Sequence, residues 1–565
     1  MKRAPLALAI VLAGAQATLL VRTAWDKSDT IDEPIYMAAG IHQWTRVFGS
    51  DGNQAFERNC ESPALPKWGM ALGLRLADPP LFEAWVNRPA GTKEPDPLGP
   101  PMARARNNLF AARVASILVT TVAGLFLFAA ALPFGPVAAL LTQALWCFSP
   151  TVLAQGSLAT LDGWAAACSA FALWAGVRLW QRPVAERALL LGAGIGLAAA
   201  CKVPAAGMLP MAFVFALGLV RLASGSWEPA RVARLWAALG GGFLFALWAV
   251  YGCSLGVIQT NDLCGTKGGL DFHSRIGPLP FPAWIEGLLL QWIHGEGGHL
   301  SYLFGRTGSD GWWWFYLTCL ALKTTIGTQA AGLVGLAATL RQRPRAGELL
   351  GDAAILAFPA LLFTVMSLGS TQIGIRYILP LFPFTMFWLG RALPRVSAAF
   401  GPRGRALFFG LVGLGALESL AVHPHHLMFF NEWAGGPEGG PRYLILGDDW
   451  GQDQKNLAEF MKTQKPWKLY YTFYNGNPGR WGVVWEQAPC EPTPGYYALQ
   501  AVEVHRPKRT EAGCLDWLTV EPPDARIGYS IYFYQVTRAR IERLVAERDT
   551  QRPFWRSGPA PGTAR

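Results

Sequence analysis

The residues most able to do chemistry lie beside apolar stretches. Asp29-Thr30-Ile31-Asp32-Glu33-Pro34-Ile35-Tyr36 places two adjacent carboxylates a short way past the first apolar run. Such a pair can deprotonate a hydroxyl as a general base or hold a divalent cation. It also fits a helix start, with Asp32 as a cap and Pro34 in the first turn. Lys67 follows the Pro-punctuated stretch Asn59-Cys60-Glu61-Ser62-Pro63-Ala64-Leu65-Pro66. Its ammonium suits an anionic headgroup, although interfacial lysines also snorkel. Asp162, Lys202, Lys323 and Arg376 each stand at or just inside the end of an apolar run. Ionisable groups there are costly and therefore informative. Each alone suits an anchor; together they suit a phosphate-bearing substrate. His423, His425 and His426 are too closely set for a helical i, i+4 metal pair, and no phosphate-binding glycine loop or dinucleotide fingerprint is present.

The elements that must position these groups are membrane helices. The chain has 565 residues, 52% of them hydrophobic and only 15% charged, against about 25% charged in an ordinary soluble domain. That composition excludes a disordered chain and disfavours a soluble enzyme. About eleven stretches have the length and apolarity expected of spans, centred on residues 5–21, 110–131, 136–147, 159–179, 189–200, 204–220, 235–255, 312–340, 353–368, 377–389 and 407–421. Nine cysteines show no zinc-type spacing.

The net charge of +11 invites a nucleic-acid reading, but its placement argues otherwise. Arginines cluster in alternate loops: Arg178, Arg182 and Arg187; Arg221, Arg231 and Arg234; Arg341, Arg343 and Arg345; Arg391, Arg395, Arg403 and Arg405. The positive-inside rule puts these loops, and Lys2 and Arg3, in the cytoplasm. Segments 22–108 and 257–311 and the tail from 423 then lie outside. The expectation is a membrane domain over 1–422 and an extracytoplasmic domain over 423–565, with the N-terminus cytoplasmic, and with membrane lipids rather than nucleic acid as surroundings. The basic, apolar start also resembles a secretory signal, and either reading leaves the first long loop outside. The tail predicts a helix over 452–463 and strands near 469–474, 496–504 and 529–536, a small α/β domain in which Cys490 and Cys514 can pair.

Taken in order, these motifs resemble one family. Asp32-Glu33-Pro34-Ile35-Tyr36 with Gly40 is similar to the Asp-Glu signature of the first outer loop of polytopic GT-C glycosyltransferases of family 39, the PMT-like group. That group includes protein O-mannosyltransferases and the aminoarabinose transferase for lipid A. Glu61-Ser62-Pro63-Ala64-Leu65-Pro66-Lys67 is similar to its Pro-Pro-Leu-x-Lys element, and Ser149-Pro150 with Leu158 to Asp162 to its second outer segment. Gly298-His299, Ala321-Leu322-Lys323-Thr324, residues 373–380, Pro424-His425 through Asn431-Glu432, and Asp449-Trp450-Gly451-Gln452-Asp453 continue the resemblance along most of the chain. Two positions depart from it: Ser62-Pro63-Ala64 stands where the family usually has His-Pro-Pro, and Tyr36 where many members have His.

The resemblance implies an all-α polytopic fold of the GT-C type, in a bacterial inner membrane, with a small C-terminal α/β domain. It implies transfer of a sugar from a polyprenyl-phosphate donor to an acceptor hydroxyl of a lipid, glycan or protein, with inversion. Asp32 would be the general base, with Glu33 or Asp162 orienting it or the acceptor. Lys67, Lys323 and Arg376 would neutralise the leaving phosphate. A divalent cation is left open. From another class, a transporter or lipid flippase fits many spans with membrane ionisable groups, and a catalytically silent relative whose tail binds partners also fits. Carboxylates gathered in a long loop rather than at mid-membrane, with no inverted repeat, favour the enzyme.

Overall fold

The computed structural model describes residues 3–47, 55–89, 92–225, 228–264, 266–267, 274–342, 346–464, 468–472, 476–506 and 513–547. Helix dominates. The first apolar run is one helix, α1 (Arg3–Asp26), followed after a tight loop by α2 (Glu33–Val47), α3 (Leu65–Ala77) and α4 (Pro79–Val86). Next come α5 (Met102–Ala131), α6 (Pro136–Cys147), α7 (Pro150–Gly156), α8 (Leu161–Gln181), α9 (Ala185–Ala199), α10 (Met208–Ser224) and α11 (Pro229–Val250). Proline repeatedly opens these helices, where its missing N–H costs nothing.

Among the described residues six helices are long and apolar enough to cross a membrane, or up to seven if the bent pair α6 and α7 is one span. The sequence pattern suggested about eleven. The difference has a physical source. Several apolar stretches are helical but short: α9 has 15 residues, and at 1.5 Å per residue that is about 22 Å, less than the roughly 30 Å hydrocarbon core. The stretch 312–340 is broken into α13 (Phe315–Lys323) and α14 (Ile326–Gln342). The run 377–389 begins as a 3-10 turn that passes into α16 (Phe382–Arg391). Among the remaining helices, α15 (Ala346–Leu368) is continuous, whereas α17 (Leu393–Ala421) is kinked at Gly401, whose φ of 65° no helix accommodates.

Close packing in the bundle depends on small residues. A Cβ on Gly192 of α9 would meet the Leu239 carbonyl oxygen of α11 at 2.0 Å, and one on Gly242 would meet that of Leu189 at 2.1 Å. With Gly196 placed likewise against Phe243, this Gly-x-x-x-Gly face lets two backbones touch, as membrane helices do where burial against lipid supplies no drive.

Among the described residues two small sheets lie outside the bundle ahead of the tail. Strands β1 (Leu255–Gln259), β2 (Asp262–Leu263), β3 (Thr266–Lys267) and β4 (Arg275–Pro280) form an antiparallel sheet beside α12 (Pro282–Glu296), and β5 (Ser301–Leu303) pairs with β6 (Arg306–Gly308). The tail contributes α18 (Gly436–Gly439), α19 (Gln454–Thr463), β7 (Leu469–Tyr471), β8 (Glu486–Gln487), β9 (Gly495–Gln500), α20 (Ala501–His505), β10 (Ala525–Ile527), β11 (Ile531–Val536) and α21 (Arg538–Glu547). Its sheet runs β10-β11-β9-β7-β8, antiparallel on one side of β9 and parallel on the other. The predicted helix and three strands fall on α19, β7, β9 and β11, but the second predicted strand stops at Gln500, where the chain turns into α20, and part of the first lies outside the described residues. Buried Tyr497, Trp517, Tyr532 and Tyr534 fill its core. Cys490 and Cys514 are disulfide-bonded, and a second bridge joins Cys60 to Cys264, 204 residues apart.

Candidate active site

The loop between α1 and α2 is held from both sides. On the bundle side, Glu33 is fully buried and accepts from Arg113 Nε and Nη2 of α5 at 2.7 and 2.6 Å, from Thr30 N at 2.8 Å and from Ala159 N at 2.7 Å. Arg113 also donates to the carbonyls of Ala24, Lys27 and Ser28. On the tail side, Ser28 N bonds Gln452 O at 2.9 Å and Ile31 N bonds Trp450 O at 3.2 Å. Lys27 pairs with buried Asp453 at 2.6 Å, and Trp481 donates to Asp29 at 3.0 Å.

Asp32 emerges from this clamp toward Arg376. Its Oδ2 lies 3.1 Å from Arg376 Nη1, and the same guanidinium nitrogen lies 3.6 Å from Asp162 Oδ2. Asp162, in the first turn of α8 where the helix dipole favours a carboxylate, is also paired with Lys202. Lys202 sits 4.1 Å above the Tyr377 ring, and Arg376 lies 3.7 Å above the Trp450 ring. Of the four charged side chains Asp32 is the most open, 24% exposed against 12% or less for the others. Two carboxylates and two cations therefore converge in a mostly dry setting, with one carboxylate facing outward. Tyr36 adjoins them; burial and the Asp32 charge keep its hydroxyl well above the ordinary value, hence protonated.

Gly374 explains how Arg376 meets the tail. Its φ is 78°, and a Cβ there would meet the Leu446 carbonyl oxygen at 2.6 Å. Only glycine lets this turn lie against residues 446–447, which brings Trp450 over the guanidinium.

Four of the seven residues singled out in the sequence, Asp32, Asp162, Lys202 and Arg376, share this cluster. Lys323 adjoins it in a second ion pair, with Asp448 of the tail at 2.7 Å, and it also bonds Leu427 O at 3.0 Å and lies over the Phe430 ring. Glu33 and Lys67 point elsewhere. Glu33 is saturated by its five donors. Lys67 is 2% exposed and gives its ammonium to the carbonyls of Asn59 and Ser62, both at 2.6 Å; burial pushes it down to about 7. Because Asp32 and Glu33 turn to different arginines, the adjacent pair does not form a joint cation site. Among the described residues, no group of three or more His, Cys, Asp and Glu side chains is placed to hold a metal ion.

The sequence reading missed Asp448 and the ring of Trp450. Residues 449–453 stood out as a motif, but nothing local signals that this tail segment returns to the bundle. Nearby Asp449 is buried and accepts from Val502 N at 3.0 Å; burial pushes it up to about 7.

Residues 102–251 match the model of the dolichyl-phosphate-mannose-protein mannosyltransferase family. Over that segment the chain is PMT-like. The match covers about a quarter of the chain and includes Asp162 and Lys202. Comparison with curated proteins found no match. Among solved structures, ArnT from Cupriavidus metallidurans bound to undecaprenyl phosphate is similar at a TM-score of 0.45 and 13% identity, over 94% of this chain and 98% of that one. The archaeal oligosaccharyltransferase AglB from Archaeoglobus fulgidus, in complex with an inhibitory peptide and a dolichol-phosphate, is similar at a TM-score of 0.43 and 12% identity, over 88% of this chain and 70% of that one. The matched segment supplies Asp162 and Lys202, and the loop before α2, the turn at Gly374 and the tail supply Asp32, Arg376 and Trp450.

Proposed function

We propose that this multi-pass membrane protein is a glycosyltransferase that moves a sugar from a polyprenyl-phosphate donor to an acceptor hydroxyl. The observation that carries this reading is Arg376 held between Asp32 and Asp162, with Lys202 on the far side of Asp162. The PMT-like segment supports the donor class.

In the proposed step Asp32 takes the proton of the acceptor hydroxyl as its oxygen attacks the anomeric carbon. The bond from that carbon to the donor phosphate oxygen breaks on the opposite side, which inverts the centre. The leaving polyprenyl phosphate carries two negative charges, so it needs cations rather than an acid; Arg376 and Lys202 supply them in a water-poor site where such stabilisation is strongest. Asp162 balances those cations while the site is empty. Lys323 and Asp448 set the position of the tail beside Arg376. Glu33 and Lys67 hold the loops and are positioning residues. In the proposed topology the arginine-rich loops face the cytoplasm of a bacterial inner membrane, and the cluster and the tail face outward.

Asp32→Asn removes the base and preserves shape. It should leave donor binding intact and lower transfer by about 100-fold or more, in the range lost with a general base. Transfer at the wild-type rate in membranes carrying this variant would reject Asp32 as the base.

A further inference from the structure

A charged cavity of about 470 Å³ lies between the ends of α1 and α5 and the first turn of α19. Trp25, Arg106, Asn107, Lys455, Asn456 and Trp481 line it. Both α1 and α5 are long and apolar enough to cross the membrane, so their ends mark the level where hydrocarbon gives way to headgroups, the level that tryptophan also favours. The Arg106 guanidinium lies 4.0 Å over the Trp25 ring. Lys455 donates to the Trp25 carbonyl and stands 5.4 Å from the Trp481 ring.

The lining holds two cations, Arg106 and Lys455, and two acids, Asp26 and Glu459. Among the described residues neither Arg106 nor Lys455 is in an ion pair, whereas the acids around them are engaged: Asp26 with Lys27 at 3.6 Å and Asn456 at 3.3 Å, and Glu459 with Lys462 at 2.7 Å. Burial pushes Lys455 down to about 7, with Arg113 and Arg106 adding to the fall and Asp26 opposing it. Lys455 is half-buried without an ion pair, which is costly, and an anion beside it removes that cost, with the exposed Arg106 as a second cation at the edge of the cavity. The tryptophan rings add flat apolar walls of the kind that cover the body of a polar headgroup.

We propose that this cavity binds a phosphate-bearing headgroup, with Arg106 and Lys455 on the phosphate and Trp25 and Trp481 against the group that carries it. The site is separate from the Asp32 cluster: the loop 27–32 lies between them, and Trp481 touches that loop at Asp29. The phosphate reaches the cavity either on a lipid or from solution, and the chemistry of recognition is the same.

The test uses the full-length protein in detergent, with bound lipid counted by native mass spectrometry. Phosphatidylglycerol is compared with phosphatidylcholine of the same chains, whose choline masks the phosphate charge, and inorganic phosphate serves as the soluble probe. The anionic lipid should be retained about tenfold more strongly than the zwitterionic one. Replacing both cations in Arg106→Gln/Lys455→Gln should weaken that retention roughly thirtyfold, in keeping with two surface charges. Asn107→Asp, an isosteric change on an exposed side chain, should weaken it by repulsion without altering thermal unfolding. Inorganic phosphate that binds alone and loses binding in both variants would support the same site with a solution source. Equal or absent retention of the two lipids with no phosphate binding, or undiminished anion binding by the folded variants, would overturn the proposal. Binding is read without any sugar transfer, so a failure of the donor chemistry leaves this outcome intact.

Discussion

Arg376 serves three neighbours at once: Asp32, Asp162 and the face of Trp450. The ring covers one face of the guanidinium, Nη1 meets both carboxylates at its edge, and Nε donates to the Ile373 carbonyl at 3.3 Å. A cation-π contact of this kind contributes about 1–2 kcal/mol when partly desolvated. Trp450→Ala should therefore raise the donor KM about five- to thirtyfold and leave kcat less affected; an unchanged donor dependence would count against the positioning role. At this scale much of the cluster was legible. Asp162, Lys202 and Arg376 stood out because a charge at the end of an apolar run needs a reason. The partners of Glu33 and Lys67 were not legible. Glu33 is neutralised by an arginine 80 residues away, and Lys67 is hydrogen-bonded by the carbonyl groups of Asn59 and Ser62 in the loop before it, which residue type does not announce.

The element that positions Asp32 is the short loop between α1 and α2, gripped by Arg113 through Glu33 and by the tail through Ser28 and Ile31. The adjacent carboxylates thus have unequal environments: one sealed against a helix, one left at the mouth. Breaking a buried pair by removing one partner's charge costs roughly 3–5 kcal/mol. Glu33→Gln should accordingly lower the thermal unfolding midpoint of the purified protein by several degrees, whereas Asp32→Asn, in a partly exposed side chain, should not. Equal midpoints for Glu33→Gln and the unmodified chain would remove the structural role of the pair. Hydropathy located the helices well because apolar runs and proline starts are local features. It does not fix the number of spans, because composition cannot tell a short buried helix from a crossing one, as α9 and the broken pair α13 and α14 illustrate.

At the scale of the whole molecule, the tail completes a site whose other parts are spread over the bundle. Its strands were legible from Tyr- and Val-rich runs, and the Cys490 and Cys514 pairing from the compartment. Its docking was not, because it depends on backbone pairing between Ser28 and Gln452 and on the contact of Gly374 with Leu446, neither of which leaves a pattern in either segment alone. The charge of the chain makes sense at this scale too. Its arginines mark loops, and the smaller set drawn together by the fold forms the proposed site. The most direct measurement is release of sugar from a radiolabelled polyprenyl-phosphate sugar in membranes containing the protein, with and without acceptors bearing hydroxyl groups. The account predicts donor cleavage that depends on an acceptor and is lost in Asp32→Asn. An intact phosphate–sugar bond across cognate donors, with the labelled lipid at most moved between leaflets, would contradict it.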